Sequence, residues 1–202
     1  MKELIVASHN QGKIEEIQEF LKELGIRVIG VGNLVDMSKV EETASTLEGN
    51  AKIKADYVFK KLSKPILSDD TGLFVRDLDG APGVYTARFA GENASDKENR
   101  SKLLKELENS KDRFAFFETV LYLIDDKGIS HVVNGVCEGT IAEEEIGDKG
   151  FGYDSIFIPL EEKKTFAQLS IKEKNAFSHR AKALKKLKEL LVNIVDESRN
   201  NK

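Results

Sequence analysis

Asp69 and Asp70 are adjacent acids at the end of the short apolar run "KPIL", followed at once by Thr71 and Gly72. Neighbouring carboxylates repel, and a segment leaving a core is a costly place for charge without a partner. Such a pair fits acid-base or cation chemistry. Asp, Thr and Gly are also ordinary turn formers, so "DDTG" reads equally well as a chain reversal. Ser8, His9, Asn10, Gln11, Gly12 and Lys13 form a second candidate, "SHNQGK", where an apolar segment hands over to a helical one. Free backbone N–H groups and the positive end of a helix would face an anion there, although a plain helix cap needs the same residue types. It is not a Walker loop: Ala7 stands where that pattern needs Gly, and Ile14 where it needs a hydroxyl. In "GDKGFGYD", Gly147 to Asp154, three glycines surround Phe151 and Tyr153, so a tightly bent backbone can present an aromatic face to a planar base, or simply close a hairpin. Lys174, His179 and Arg180 cluster in "EKNAFSHRAKAL" at the start of the last helix, where a solvated helix face is the alternative.

The segments that must position these groups alternate between strand and helix patterns. "ELIVAS" (Glu3 to Ser8) reads as a buried strand, and Ile14, Ile17, Phe20, Leu21 and Leu24 share one face of the helix that follows. "IRVIGV" (Ile26 to Val31) reads as a strand, Thr46 to Leu62 as a helix, and "PILSDD" as a third strand. A Ser95 cap and the stripe Leu103, Leu104 and Leu107 mark another helix. "DRFAFFETVLYLID" and "ISHVVNGVCEGTI" read as a hairpin closed at Asp126 to Gly128. A short strand "SIFIP" precedes a last helix with Leu184, Leu187, Leu191 and Ile194 on one face. This alternation predicts an α/β sheet. A domain boundary near Ser110 is only weakly marked, and the 202 residues suit one fairly large domain or two intimately joined lobes.

Composition sets the outer limits. A chain of 202 residues, 40% hydrophobic, can bury a substantial core. The formal charge of -4, from 31 basic and 35 acidic residues, argues against nucleic acid bound through a general basic surface. Cys137 stands alone and cannot form an internal disulfide, the N-terminal apolar stretch is too short for a signal peptide, and no run approaches the roughly 18 apolar residues of a membrane span. A cytoplasmic protein with no membrane partner is the expectation.

Taken in order, "SHNQGK", "EET" (Glu41 to Thr43), "NAKIKA" (Asn50 to Ala55), "SDDTGL", "GAPGVYTARFAG" (Gly80 to Gly91), "GFGYD" and "SHR" resemble the inosine triphosphate pyrophosphatase family from Leu4 to about Leu191. Ser8 and His9 stand where many members have Thr-Gly, and Thr71 where many have Ser. The resemblance implies a long twisted mixed sheet with flanking helices, two lobes around a nucleotide-binding cleft, and a homodimer. It implies hydrolysis of the noncanonical purine nucleoside triphosphates ITP, dITP and XTP at the α-β phosphate bond, giving the monophosphate and pyrophosphate with Mg²⁺ required. Deaminated purines would thereby leave the nucleotide pool.

On that reading a triphosphate brings several negative charges beside the acid pair, which a divalent cation must balance. Mg²⁺ prefers oxygen, so Asp70 with Glu41 or Glu42 would suit it. Asp70 matches the family's proton acceptor, with Asp69 beside it. Lys13, Lys54 and the amides near Thr71 would hold the phosphates. Phe151 would stack on the base, with Gly152 and Tyr153 shaping its loop, while Asp154, Lys174, His179 and Arg180 would read the base edge. Two alternatives remain at this point: a related pyrophosphatase acting on other nucleoside triphosphates, and a non-enzymatic nucleotide sensor, which has no need of paired acids.

Overall fold

The computed structural model describes residues 2–200. The expected mixed α/β architecture is present, with a seven-stranded sheet and five α-helices among the described residues. Strand β1 (Glu3–Val6) is followed by α1 (Gln11–Leu21), β2 (Arg27–Gly30), α2 (Leu47–Leu62), β3 (Ile66–Val75) and the two-residue β4 (Pro82–Gly83). Next come α3 (Asp96–Glu106), the long pair β5 (Phe114–Ile124) and β6 (Ser130–Ile141), β7 (Phe157–Pro159), α4 (Ile171–Phe177) and α5 (His179–Asn200). The sheet order is β2-β1-β3-β5-β6-β7, with β4 on β3. Pairing is parallel between β1 and its neighbours β2 and β3, and antiparallel for β3 with β4 and β6 with β7. Two parallel pairs joined through helices are what the strand-helix alternation requires.

The chain forms two compact units. The first takes the chain up to Asp70, Thr119–Gly135 and the chain from Arg180, and the second takes Thr71–Glu118 and Val136–His179. The weak boundary expected near Ser110 is therefore replaced by an interleaved division, in which β3, β5 and β6 each give residues to both units.

Each unit has its own core. In the first, Leu4 and Val6 of β1, Ile14, Ile17 and Leu21 of α1, Leu67 of β3, and Leu184, Leu187 and Leu191 of α5 are buried together. Phe20, Leu24 and Ile194 pack at its margin, so the predicted stripes of both helices face inward. Full burial of one such side chain contributes about 1.5–3 kcal/mol, so these stripes hold α1 and α5 in place. In the second unit, Leu103 and Leu107 of α3 join Leu73, Phe117, Ile141, Tyr153, Phe157 and Phe166. No helix among the described residues is long and apolar enough to cross a membrane.

Two local readings are corrected. The third strand does not stop at the acids: β3 continues through Asp69, Asp70 and Thr71 to Val75, so the turn reading of "DDTG" fails. The last helical stretch is two helices, because Ser178 is extended (φ -62, ψ 158) and breaks α4 from α5. Lys174 therefore stands on α4, and only His179 and Arg180 open α5.

Candidate active site

A strand that contains two consecutive acids points them to opposite faces. This is how β3 avoids their repulsion. Asp69 turns toward α1 and α5: Lys13 Nζ pairs with its Oδ1, and Arg180 Nε donates to its Oδ2 at 2.8 Å. Arg180 Nη1 also donates to Glu16 of α1, and both Arg180 and Asp69 are about 1% exposed. Asp70 turns toward α2, where Lys54 Nζ donates to its Oδ1 at 2.6 Å, to the Asp69 carbonyl at 2.9 Å, and pairs with Glu42 Oε1 at 3.0 Å. Ser68, on the same side as Asp70, donates its Oγ to the Ala51 carbonyl at 2.6 Å and so ties β3 to α2.

The two acids differ electrostatically. Burial alone raises a carboxyl pKa, because it penalises the charged form. For Asp69 burial is overcome by the charges of Arg180 and Lys13, which hold its carboxyl far below the usual carboxylate range. For Asp70 burial prevails, with Glu42 adding to it against Lys54, and the carboxyl is raised. Neighbouring acids whose environments push them apart in this way are a signature of divided roles. One is a fixed anion, and the other can take up a proton. Lys54 is kept charged: burial works against it, but Asp70 and Glu42 more than compensate.

Around this centre the remaining expected residues of the first unit fall as follows. Asn10 caps α1, its side chain accepting from Lys13 N at 3.1 Å, while Ser8 Oγ accepts from Asn10 N at 3.1 Å. The helix-cap reading of the loop therefore holds. It leaves His9 and Gln11 exposed and Gly12 half-buried on the first turn. Thr71 is half-buried on β3 beside Asp70, as the first residue of the second unit. Glu41 is exposed, whereas Glu42 shares Lys54 with Asp70, so Glu42 is the acid that the fold brings to Asp70. Among the described residues no group of three or more His, Cys, Asp or Glu converges as a self-sufficient metal site. Glu42 and Asp70 instead converge on one ammonium, so two hard oxygen donors are arranged around one cation.

The second unit builds the glycine-rich loop. Phe151 N donates to Asp154 Oδ2 at 3.0 Å, and Lys174 Nζ donates to the same oxygen at 2.8 Å while lying 5.0 Å from the Phe151 ring centroid. Tyr153 is buried and its hydroxyl donates to the Thr86 carbonyl at 2.9 Å. Thr86 Oγ1 in turn accepts from Leu73 N at 2.8 Å. A cavity of about 130 Å³ lies along this loop, lined by Phe151, Gly152, Asp154, Arg100 and Glu145 among others. That is well below the roughly 300–1,000 Å³ of a site for a drug-sized ligand. His179 is buried, its ring 4.6 Å from Phe117 and 6.0 Å from Phe166.

Arg180, expected at a base edge, makes ion pairs in the first unit with Asp69 and Glu16. Consecutive residues on a helix point about 100° apart, so "SHR" sends His179 and Arg180 to different surroundings despite their adjacency. Glu16 was missed by sequence reasoning. It follows Glu15 and lies beside the apolar stripe of α1, and the only signal available was an acid bordering the buried face.

Comparison with known proteins accords with this geometry. The model of the Ham1 family matches residues 4–190. The chain belongs to the Ham1 family. Curated Ham1 relatives named dITP/XTP pyrophosphatase include one from Caldanaerobacter subterraneus subsp. tengcongensis, 46% identical over 98% of this chain and 100% of the relative. Another is from Bacillus subtilis, 45% identical over 95% of this chain and 98% of the relative. Among solved structures, the Staphylococcus aureus Ham1 protein superposes with a TM-score of 0.84 at 42% identity, covering 95% of this chain and 99% of that one. A HAM1 protein from Coxiella burnetii gives 0.85 at 41% identity, covering 96% and 100%.

Proposed function

We propose that this Ham1 chain hydrolyses dITP, ITP and XTP at the α-β phosphate bond, releasing the nucleoside monophosphate and pyrophosphate. The observation that carries the reading is the divided acid pair, Asp69 paired with Lys13 and Arg180 on one face of β3, and Asp70 gathered with Glu42 around Lys54 on the other. It is supported by relatives bearing the name dITP/XTP pyrophosphatase over nearly the full chain.

Water attacks the α-phosphorus, Asp70 takes the proton that the water gives up, and the bond from the α-phosphorus to the bridging oxygen breaks with pyrophosphate leaving. General-base help of this kind contributes typically 10²–10⁴-fold. Lys54 and Lys13 offset charge on the phosphate oxygens. Glu42 and Asp70 would hold Mg²⁺, whose usual protein share is one or two carboxylates, the rest coming from water and phosphate. When bound, the ion supplies charge neutralisation and an acidified water. In the second unit Phe151 stacks on the base, with Asp154 and Lys174 holding the loop that carries it. The reading includes a homodimer resident in the cytoplasm, as the family resemblance implies, which sedimentation and cell fractionation check.

The test is to incubate the protein with dITP, XTP, ATP and GTP separately, with Mg²⁺ or with excess chelator, and to measure pyrophosphate and orthophosphate. Pyrophosphate from dITP and XTP only, lost with chelator, is the expected result. Orthophosphate as the sole product, or equal turnover of ATP, would sink the assignment.

A further inference from the structure

We propose that Asp96 and Arg100 are positioning residues for the purine, acting through Gly152; this rests on the reading that the chain hydrolyses dITP with Phe151 against the base. The two stand four residues apart on α3, so their side chains share one face. Asp96 Oδ2 accepts the N–H of Gly152 at 2.7 Å, and Arg100 Nη1 donates to the Gly152 carbonyl at 2.7 Å. One helix face thereby holds both backbone polar groups of a single residue.

That residue has a left-handed backbone, φ +61, and a Cβ added there would meet nothing within 4 Å, so no side-chain packing supplements the two hydrogen bonds to its backbone. Glycine also has more conformational freedom to lose than any other residue. Its neighbours are fixed independently: Phe151 N is held by Asp154, and the Tyr153 hydroxyl by the Thr86 carbonyl. The peptides on either side of Gly152 join Phe151 to the anchored Tyr153, so holding them helps fix the backbone that carries the Phe151 ring.

The clamp is itself braced. Arg100 Nε donates to Glu145 Oε2 at 2.9 Å, and the same oxygen accepts from Ser155 Oγ at 3.2 Å, so the guanidinium is referenced to both the approach to the loop and its exit. Asp96 sits on the first turn of α3, where Ser95 and Glu98 form a reciprocal capping box and an acid is favoured by the helix dipole. Both bonds to Gly152 involve an ionised partner, which makes them about twice as strong as neutral ones. Aromatic stacking depends on offset and tilt, so releasing Gly152 weakens capture of the base and leaves the phosphate chemistry intact.

The experiment uses the full chain, dITP as substrate, and inorganic triphosphate, which has no base, as a competitive inhibitor. Arg100→Leu and Asp96→Ala should each raise KM for dITP about tenfold, the loss of one charge-assisted bond. In both, kcat should stay within about twofold and inhibition by triphosphate should be unchanged, since only binding of the base is touched. Asp96→Asn should recover part of the loss in KM, because its amide oxygen accepts the same N–H without the charge. Unchanged KM in both truncations, or parallel loss of dITP and triphosphate binding, overturns the proposal. Failure of the unmodified protein to release pyrophosphate from dITP is a separate result, seen before any variant is compared, and overturns the functional reading on which the clamp depends.

Discussion

Gly150→Ala tests whether the base loop is held by Asp154 as the structure describes. Gly150 has φ +77, and a Cβ there would lie 2.0 Å from Asp154 Oδ2 and 2.9 Å from its Cγ. The carboxylate must move, and the oxygen that moves is the one bonded to Phe151 N and Lys174 Nζ. The left-handed backbone costs a residue with a Cβ about 1–2 kcal/mol. Loss of one charged hydrogen bond adds about 1.5–3 kcal/mol, so the total is about 2.5–5 kcal/mol. For a chain of this size that lowers Tm by roughly 5–20 °C. Gly152→Ala is the control: it carries the same backbone cost at φ +61 but meets no atom within 4 Å. Calorimetric Tm and KM for dITP should place Gly150→Ala well below Gly152→Ala in stability and about tenfold higher in KM. If the two variants melt together, the Asp154 carboxylate is not what organises the loop, and the reasoning fails.

Asp70→Asn should lower kcat by about 10²–10⁴ with the circular dichroism spectrum unchanged, since it removes the proton acceptor but not the side-chain volume; retained turnover of dITP would remove Asp70 from that role. Arg180→Ala leaves Asp69 and Glu16 buried without their guanidinium, and urea unfolding should show a loss of about 3–5 kcal/mol. At the β5–β6 turn, Asp125 accepts from Lys127 N at 2.8 Å, Ile129 N at 2.9 Å and His131 Nε2 at 3.0 Å. Burial acts to raise its carboxyl pKa, but the His131 contact and the two amides outweigh it and hold the carboxyl below the usual range. A depressed carboxyl contributes stability above its unfolded value of about 3.9 and loses it as pH falls through the lower folded value. The stability gap between the unmodified protein and Asp125→Asn should therefore be open at neutral pH and close below about pH 4 in parallel urea titrations.

What could be read in the sequence was whatever repeats with a period. The stripes of α1, α3 and α5 and the β5–β6 hairpin were legible because apolar spacing is a local property, and each is buried as spaced. The loop at Ser8 to Lys13 was legible as a strand-to-helix transition, down to its Asn10 cap. The acid pair was legible as an anomaly only. Whether "DDTG" turned or ran straight was not a local matter: β3 pairs with β1 only at Ile66 and Leu67, before the acids, and with β4 at Leu73 and Phe74, after them. The ion-pair partners of Arg180 were not legible for a related reason: the break at Ser178 sets the rotation of α5, and no residue type announces which way residue 180 then faces. Asp96 and Arg100 looked like ordinary charges on a capped helix, because their partner is a backbone and carries no side-chain signature.

The ion network of the first unit also sets the order in which the protein becomes competent. Arg180 lies 111 residues after Asp69 and 164 after Glu16. At the usual synthesis rate of about 5–20 residues per second, both acids wait roughly 6–30 s for their guanidinium to emerge. During that interval Asp69 has Lys13 but not Arg180, and Glu16 lacks its guanidinium, so burial of these carboxylates is only partly offset and they keep water. Closure of such a distant contact comes late in folding. Docking of α5 therefore does two things at once: it seals the Leu184, Leu187 and Leu191 stripe against the sheet, and it lets Asp69 be buried as an ion. A nascent chain that has not reached α5 has neither, so Asp69 takes its final partner only when the unit around it can shut.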